Sequence, residues 1–164
     1  MSSQESFQVI FAGVGGQGVL LASEITALVA FEEGLDVKKS EVHGMSQRGG
    51  SVVSHVRMGE RVFSPLISKG QGDALVAFEA SESCRYEAFL KPDAVRIDPS
   101  SISMEALPHP RTANIFIVGC LARLLPFQQR TWEKVISEMV HPNTLEMNLE
   151  AFRRGLKVSP REAQ

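Results

Sequence analysis

Cysteine is scarce in this sequence. Of 164 residues only Cys84 and Cys120 carry thiols, far apart and in no C-x-x-C arrangement. That excludes an iron–sulfur cluster or a structural zinc site built from this chain alone, and both are expected as reduced, buried thiols on helices. Long apolar runs are also missing. No stretch approaches the ~20 residues needed to span a bilayer, and residues 1–8 lack a basic segment followed by an apolar one, so a cytoplasmic protein is expected. Neither sign of charge dominates: a formal net charge of -2 gives no reason to expect nucleic acid or an anionic membrane as partner. There is no internal repeat and no low-complexity segment.

What is present suits one globular domain, large enough to bury about two thirds of its unfolded surface. Residues 7–12 form a short apolar run that predicts a buried strand, followed by a glycine turn and a helix over 16–33 stopped by Gly34. Residues 35–40 read as a second strand, which makes the opening unit βαβ with a right-handed crossover. Residues 51–58 alternate, and Gly59-Glu60 then suggests a two-residue hairpin turn into a strand over 61–64. A buried strand over 73–78, a helix over 81–90 ended by Lys91-Pro92, and a weaker strand over 94–97 follow. Residues 98–110 are rich in Pro and Ser and read as irregular. Helices are expected over 113–125, 131–140 and 143–154, the last with Asn143 as N-cap and Glu146 three residues on. The expected fold is α/β: a three-layer αβα sandwich, with a mostly parallel sheet and one hairpin. In such sheets ligands bind beyond the carboxyl ends of the strands, where both glycine-bearing loops should lie.

Gly13-Val14-Gly15-Gly16-Gln17-Gly18 satisfies G-x-G-x-x-G between a strand and a helix. Backbone N–H groups there can hold a phosphate, since unpaired donors and the helix dipole both favour an anion. A bound dinucleotide, another phosphate-bearing ligand and a plain tight turn all fit; for a dinucleotide, Glu41 is the only nearby acid for a ribose hydroxyl. The second loop is Ser40-Glu41-Val42-His43-Gly44-Met45-Ser46-Gln47-Arg48-Gly49-Gly50-Ser51. Its hydrogen-bonding side chains alternate with glycines that let the backbone approach another surface. Arg48 suits a carboxylate or phosphate, or an interface salt bridge. His43 is the candidate for proton transfer, against a structural or ligand-contact role. His55 is expected to be packed rather than catalytic, Trp132 to be a packing residue, and His109 and His141, beside prolines, carry no signal.

These two runs, with Ser64-Pro65-Leu66-Ile67, Phe89-Leu90-Lys91-Pro92, the helix from Asn114 and Asn148-Leu149-Glu150-Ala151-Phe152, resemble the gamma-type subunit (catalytic domain III) of 2-oxoacid:ferredoxin oxidoreductases. Within that family the likeness is greatest to the beta subunit of indolepyruvate:ferredoxin oxidoreductase. The resemblance implies a Rossmann-like catalytic domain over residues 1–158, with 159–164 a flexible tail. It also implies a subunit of an enzyme that oxidatively decarboxylates a 2-oxoacid to an acyl-CoA. Thiamine diphosphate, magnesium and the iron–sulfur cluster would sit on an alpha-type partner, with ferredoxin served through the complex. This agrees with the chain's lack of cluster ligands and of a Gly-Asp-Gly…Asn diphosphate motif. The chain would be inactive alone, and a homodimer in isolation is compatible with the reading. Carried onto this sequence, the coenzyme A role falls on Gly13, Gly15, Gly16, Gln17, Ser46, Gln47, Arg48, Gly49 and Gly50. One departure stands out: the family usually has a further strand and helix between the counterparts of Pro92 and Asn114. The readings left open are a stand-alone nucleotide-binding enzyme and a shortened, non-catalytic interaction module.

Overall fold

A computed structural model describes residues 6–44, 49–101 and 103–159. Five strands form one sheet: β1 (Phe7–Val14), β2 (Asp36–His43), β3 (Ser51–Gly59), β4 (Gly72–Ala77) and β5 (Leu90–Ile97). They lie in the order β2-β3-β1-β4-β5. β1, β4 and β5 are parallel neighbours, whereas β3 is antiparallel to both β1 and β2. Four strands therefore run one way and β3 alone runs against them. The fold is α/β, with helices α1 (Val19–Glu32), α2 (Ala80–Tyr86), α3 (Ala113–Ala122), α4 (Gln129–Met139) and α5 (Leu145–Gly155).

Two topological expectations are corrected. β4, α2 and β5 do form a βαβ unit of adjacent strands, whereas β1, α1 and β2 make a crossover between parallel strands with β3 lying between them, so the opening unit does not join neighbours. The reason is burial. β3 contributes Val52, Val53, Val56 and Met58 to the interior, while β2 carries Asp36, Lys38, Lys39 and Glu41, a composition suited to the sheet edge. Nor do residues 61–64 form a strand after Gly59-Glu60. The Val62 N–H donates instead to the Asp36 carboxylate at 2.8 Å, and the antiparallel pair of consecutive strands is β2 with β3.

The sheet's two faces are covered unequally. One packs Val9, Phe11, Val56 and Val76 under α1, α3, α4 and α5, where Trp132 is 1% exposed and stacks on Phe152 at 5.9 Å. The other carries a thinner layer: Ile10, Ala12, Leu75 and Ala77 meet Ile67, Tyr86 and Phe89. His55 belongs to this side, accepting the Ile67 N–H on Nδ1 at 3.1 Å with its ring edge toward Phe89. It is packed, as expected, and burial holds its pKa below the usual histidine value.

Local corrections follow hydrogen bonding. The helix expected over 81–90 is α2, and a 3₁₀ turn (Glu87–Phe89) ends it before β5 begins at Leu90. Lys91-Pro92 therefore lies in an edge strand, where proline costs no ladder bond. Asn143 is not an N-cap. His141 caps a 3₁₀ turn (Pro142–Thr144) by accepting the Asn143 N–H on Nδ1 at 3.2 Å, and α5 starts at Leu145. His109 does the same for the Arg111 N–H ahead of α3, also at 3.2 Å. In both runs, His-Pro-Arg-Thr and His-Pro-Asn-Thr, the threonine hydroxyl donates back to the histidine carbonyl. The two histidines that carried no signal thus perform one repeated capping task, legible in retrospect from the spacing. Cys120 is buried, its thiol pushed up to about 12 chiefly by that burial, but Cys84 is exposed rather than buried, because α2 is short and lies on the thin side.

Candidate functional site

The glycine turn after β1 closes at the carboxyl end of the sheet, where the strand order reverses between β1 and β4. Gly13 is still in the strand, paired with Val52. A Cβ there would lie 2.6 Å from Val19 Cγ2 and 2.8 Å from Gln17 Oε1, so the turn packs down on a bare backbone. Gly18 caps α1 at φ 81°, with the Asn114 side chain directly over it. Gln17 bridges two strands' exits: its Oε1 accepts the Val14 N–H at 2.8 Å, and its Nε2 donates to Glu79 at 2.6 Å. Gly15 donates its N–H to the Gly50 carbonyl at 3.0 Å. The two glycine loops singled out in the sequence therefore touch.

Gly18→Ala is expected to destabilise the fold by about 1–2 kcal/mol from the left-handed conformation alone. Asn114→Ala in the same chain relieves only the added steric cost. Gly15 has neither burden, since a methyl there would make ordinary contacts at 3.8 Å with the 49–50 backbone, and Gly15→Ala should leave stability within about 0.5 kcal/mol. Thermal denaturation of the three variants checks this; equal losses at Gly15 and Gly18 would refute it.

On one side of this turn is an open cleft of about 480 Å³, lined by Gly15, Gly16, Val19, Leu20, His43 and Val52 among others. The first turn of α1 borders it and has no side-chain cap, so the positive end of the helix dipole adjoins the space. On the other side is a cavity of about 250 Å³ between Gln17, Phe78, Met104, Arg111 and Asn114. His43 stands at the rim of the larger cleft with its side chain 58% exposed and Nε2 3.8 Å from Glu41, too far for a hydrogen bond. Glu41 is engaged instead by Lys39, and that hydrogen bond holds its carboxyl below the ordinary range. Lys39 also reaches Glu24 on α1 at 2.6 Å. Burial opposes the Lys39 charge, but the two carboxylates outweigh it and its pKa is raised.

The structure thus brings together Gly13, Gly15, Gly16, Gln17, Gly49 and Gly50, with His43 on the same rim. Ser46, Gln47 and Arg48 lie outside the described residues. Sequence reasoning did not single out Asn114 as the residue pressed onto the glycine turn, although its place at the start of α3 was visible. Among the described residues no three His, Cys, Asp or Glu side chains form a metal-holding group, and no helix is long and apolar enough to cross a membrane.

A mixed sheet with this strand order, joined at its carboxyl edge by two touching glycine loops, matches known proteins. The chain belongs to the pyruvate ferredoxin/flavodoxin oxidoreductase family, which it matches over residues 8–98 and 91–158. It is 29% identical to the indolepyruvate oxidoreductase subunit IorB of Thermococcus kodakarensis, covering 94% of this chain and 96% of that one. Its fold is similar to the keto/oxoacid ferredoxin oxidoreductase gamma subunit of Geobacter sulfurreducens, with a TM-score of 0.73, 25% identity, and 92% and 96% of the two chains covered. The same fold occurs within the 2-oxoglutarate:ferredoxin oxidoreductase of Magnetococcus marinus, solved with 2-oxoglutarate, coenzyme A and succinyl-CoA bound. There the TM-score is 0.79 at 20% identity, over 94% of this chain and 31% of that one. The alignment to the Thermococcus protein runs over 195 positions, more than the 164 residues here, so that relative has positions with no counterpart. The family match falls in two segments that overlap at residues 91–98, within and just after β5.

Proposed function

We propose that this chain is the gamma-type subunit of a thiamine-diphosphate-dependent 2-oxoacid:ferredoxin oxidoreductase, acting on indolepyruvate or a related arylpyruvate and yielding an acyl-CoA. The observation that carries this reading is the end-to-end likeness to an indolepyruvate oxidoreductase subunit, which reaches far beyond the glycine motif. Thiamine diphosphate, magnesium and the iron–sulfur cluster belong to an alpha-type partner, through which ferredoxin is reduced. This chain has no turnover by itself and contributes interface and coenzyme A-site residues.

The larger cleft fits a phosphate-bearing group: the uncapped first turn of α1 borders it, and Gly15 and Gly16 put no side chain in the way. When bound, coenzyme A supplies the thiol that takes the acyl group. Gly13 and Gln17 would act by holding the turn, since the Gln17 amide is already engaged by Val14 and Glu79. Gly15, Gly16, Gly49 and Gly50 would let the backbone approach the ligand. In the loop, Ser46, Gln47 and Arg48 would offer polar contacts, Arg48 to an anion or to a carboxylate of the partner. His43 is the rim group available to carry a proton.

Co-expression with the thiamine-binding partner tests this. Co-purification of the two chains and 2-oxoacid-dependent, coenzyme A-dependent reduction of ferredoxin are expected, neither being given by this chain alone. Arg48→Lys keeps the charge and loses the bidentate fork, so it should either weaken co-purification or raise the apparent KM for coenzyme A about tenfold. Wild-type behaviour in both would remove the loop from the site. The positions that the Thermococcus relative has and this chain lacks favour a second reading, a shortened non-catalytic interaction module, which predicts a stable complex without turnover. Tight NAD or FAD binding by the isolated chain would instead support a stand-alone nucleotide-binding enzyme.

A further inference from the structure

The sheet has two edges, and they differ. β5 is broken as a pairing surface: its register against β4 jumps from Gly72–Leu90 to Ala74–Val95, and Pro92 lies in the bulged stretch. Bulges and prolines are the usual means of blunting an edge. β2 has neither. All eight of its residues pair with β3 in unbroken register, from Asp36–Gly59 to His43–Val52, and it stands outermost on its side of the sheet.

Which of its backbone groups are free can be read from the ladder. Gly44 donates its N–H to Ser51 at 2.7 Å. In an antiparallel ladder the groups facing one neighbour belong to alternate residues. Asp36, Lys38, Ser40 and Val42 therefore turn theirs toward β3, while Val37, Lys39, Glu41 and His43 turn theirs outward. We propose that this edge pairs antiparallel with the β2 of a second copy of the chain, about a two-fold axis through Ser40, to give a continuous ten-stranded sheet.

Charge selects the partner and the register. A two-fold normal to the sheet keeps each residue's face, so residues of like parity come opposite one another. With Ser40 on the axis, Lys39 stands opposite Glu41 of the second copy and Glu41 opposite its Lys39, while Lys38 lies against Val42. These Lys39–Glu41 pairs carry the outward backbone groups, so each can exchange both main-chain hydrogen bonds. Moving the axis by one residue puts Lys39 against Lys39 or Glu41 against Glu41, and like charges directly opposite are unfavourable. The strand is thus complementary to itself in one register. Lys39 has a third ammonium donor beyond those used for Glu24 and Glu41, and the Val42 side, 57% exposed, gains the Lys38 stem as cover. On α1, Leu28 and Phe31 follow Glu24 at i+4 and i+7 and so lie on the same side of the helix. Phe31 is 67% exposed, which extends the apolar surface beside this edge. The inference rests on the edge alone and not on the proposed activity.

Sedimentation of the full chain over a range of concentrations should show a monomer–dimer equilibrium. Glu41→Lys places lysines opposite one another twice and should weaken the dimer about tenfold. The exchange Lys39→Glu with Glu41→Lys restores opposite charges and should return most of that loss. Ser40→Cys, in a Cys84→Ser background because Cys84 is exposed, should form an intermolecular disulfide on oxidation, since only residue 40 meets its own counterpart. Lys38→Cys should not. Circular dichroism confirms that each variant is folded. A monomer at the highest soluble concentration would overturn the proposal, as would a dimer indifferent to Glu41→Lys or one that cross-links at Lys38→Cys and not at Ser40→Cys.

Discussion

Alanine at Gly119 or at Gly155 is expected to destabilise the fold by about 3 kcal/mol, among the largest effects of any single methyl group here. The two glycines face each other where α3 crosses α5, their Cα atoms close enough that a Cβ on either would come within 3.0 Å of the other. A methyl at Gly119 would also run into the Phe152 carbonyl oxygen, and one at Gly155 into that of Phe116. Both obstacles are backbone and cannot swing aside as a flexible side chain would. Relief requires the helices to separate, and α3 is almost wholly buried: Phe116, Val118, Cys120 and Leu121 are fully enclosed. Separation would open gaps around Trp132 and Phe152 and forfeit their contacts. In a chain of this size the loss corresponds to a fall in melting temperature of roughly 6–12 °C. The double variant should cost less than the sum, because one displacement accommodates both methyl groups. A melting temperature within a degree of the parent for either single variant would show that the crossing is looser than described.

Asp98→Ala should cost about 2–4 kcal/mol, for a different reason. This carboxylate is 4% exposed at the end of β5. It accepts the Ser83 hydroxyl at 2.7 Å, the Ser100 N–H at 2.9 Å with its hydroxyl at 2.5 Å, and the Ser101 N–H at 2.9 Å. It thereby fastens α2 to the strand and shapes the segment that follows. Alanine would strand those donors away from water. Burial raises its pKa, but the serine donors outweigh burial and the net shift is downward. The sign follows from linkage. A folded-state pKa below the unfolded value gives stability that is complete above the unfolded carboxyl pKa of about 4 and is lost as pH falls through the lowered value. The gap between parent and Asp98→Ala should accordingly narrow on acidification below about pH 4. Denaturant titrations at neutral and acid pH measure it, and a gap unchanged or widened in acid would refute the assignment. Asp98 opens the segment read from sequence as irregular, and the structure makes it the segment's anchor.

What the amino-acid order determined by itself was the local chemistry. An apolar run ending in Gly13 reads as a buried strand leading into a tight turn, and the one-sided patterns of α4 and α5 follow from which side chains avoid water, whereas α1 and α3 are apolar on nearly every side, as buried helices are. The α/β class and the placement of both glycine loops at the carboxyl edge follow from that alternation, and the family was legible from the loops together with the shorter runs downstream. Tertiary structure decided the neighbours. Whether β2 or β3 sits beside β1 is a competition between strands for the interior. It turned on the sum of buried side chains in β3 against the charges of β2, which no local window weighs. The same holds for Gly119 and Gly155: each looks like a weak point in its own helix until the two helices cross, and only then does the missing Cβ become a requirement. Gln17 and Asn114 are further cases, since a polar side chain beside a glycine turn is equally ready to meet a ligand or the protein. Only the approach of β4 and α3 committed Gln17 to Glu79 and pressed Asn114 onto Gly18, because long-range packing determines which hydrogen-bonding groups are left for anything else.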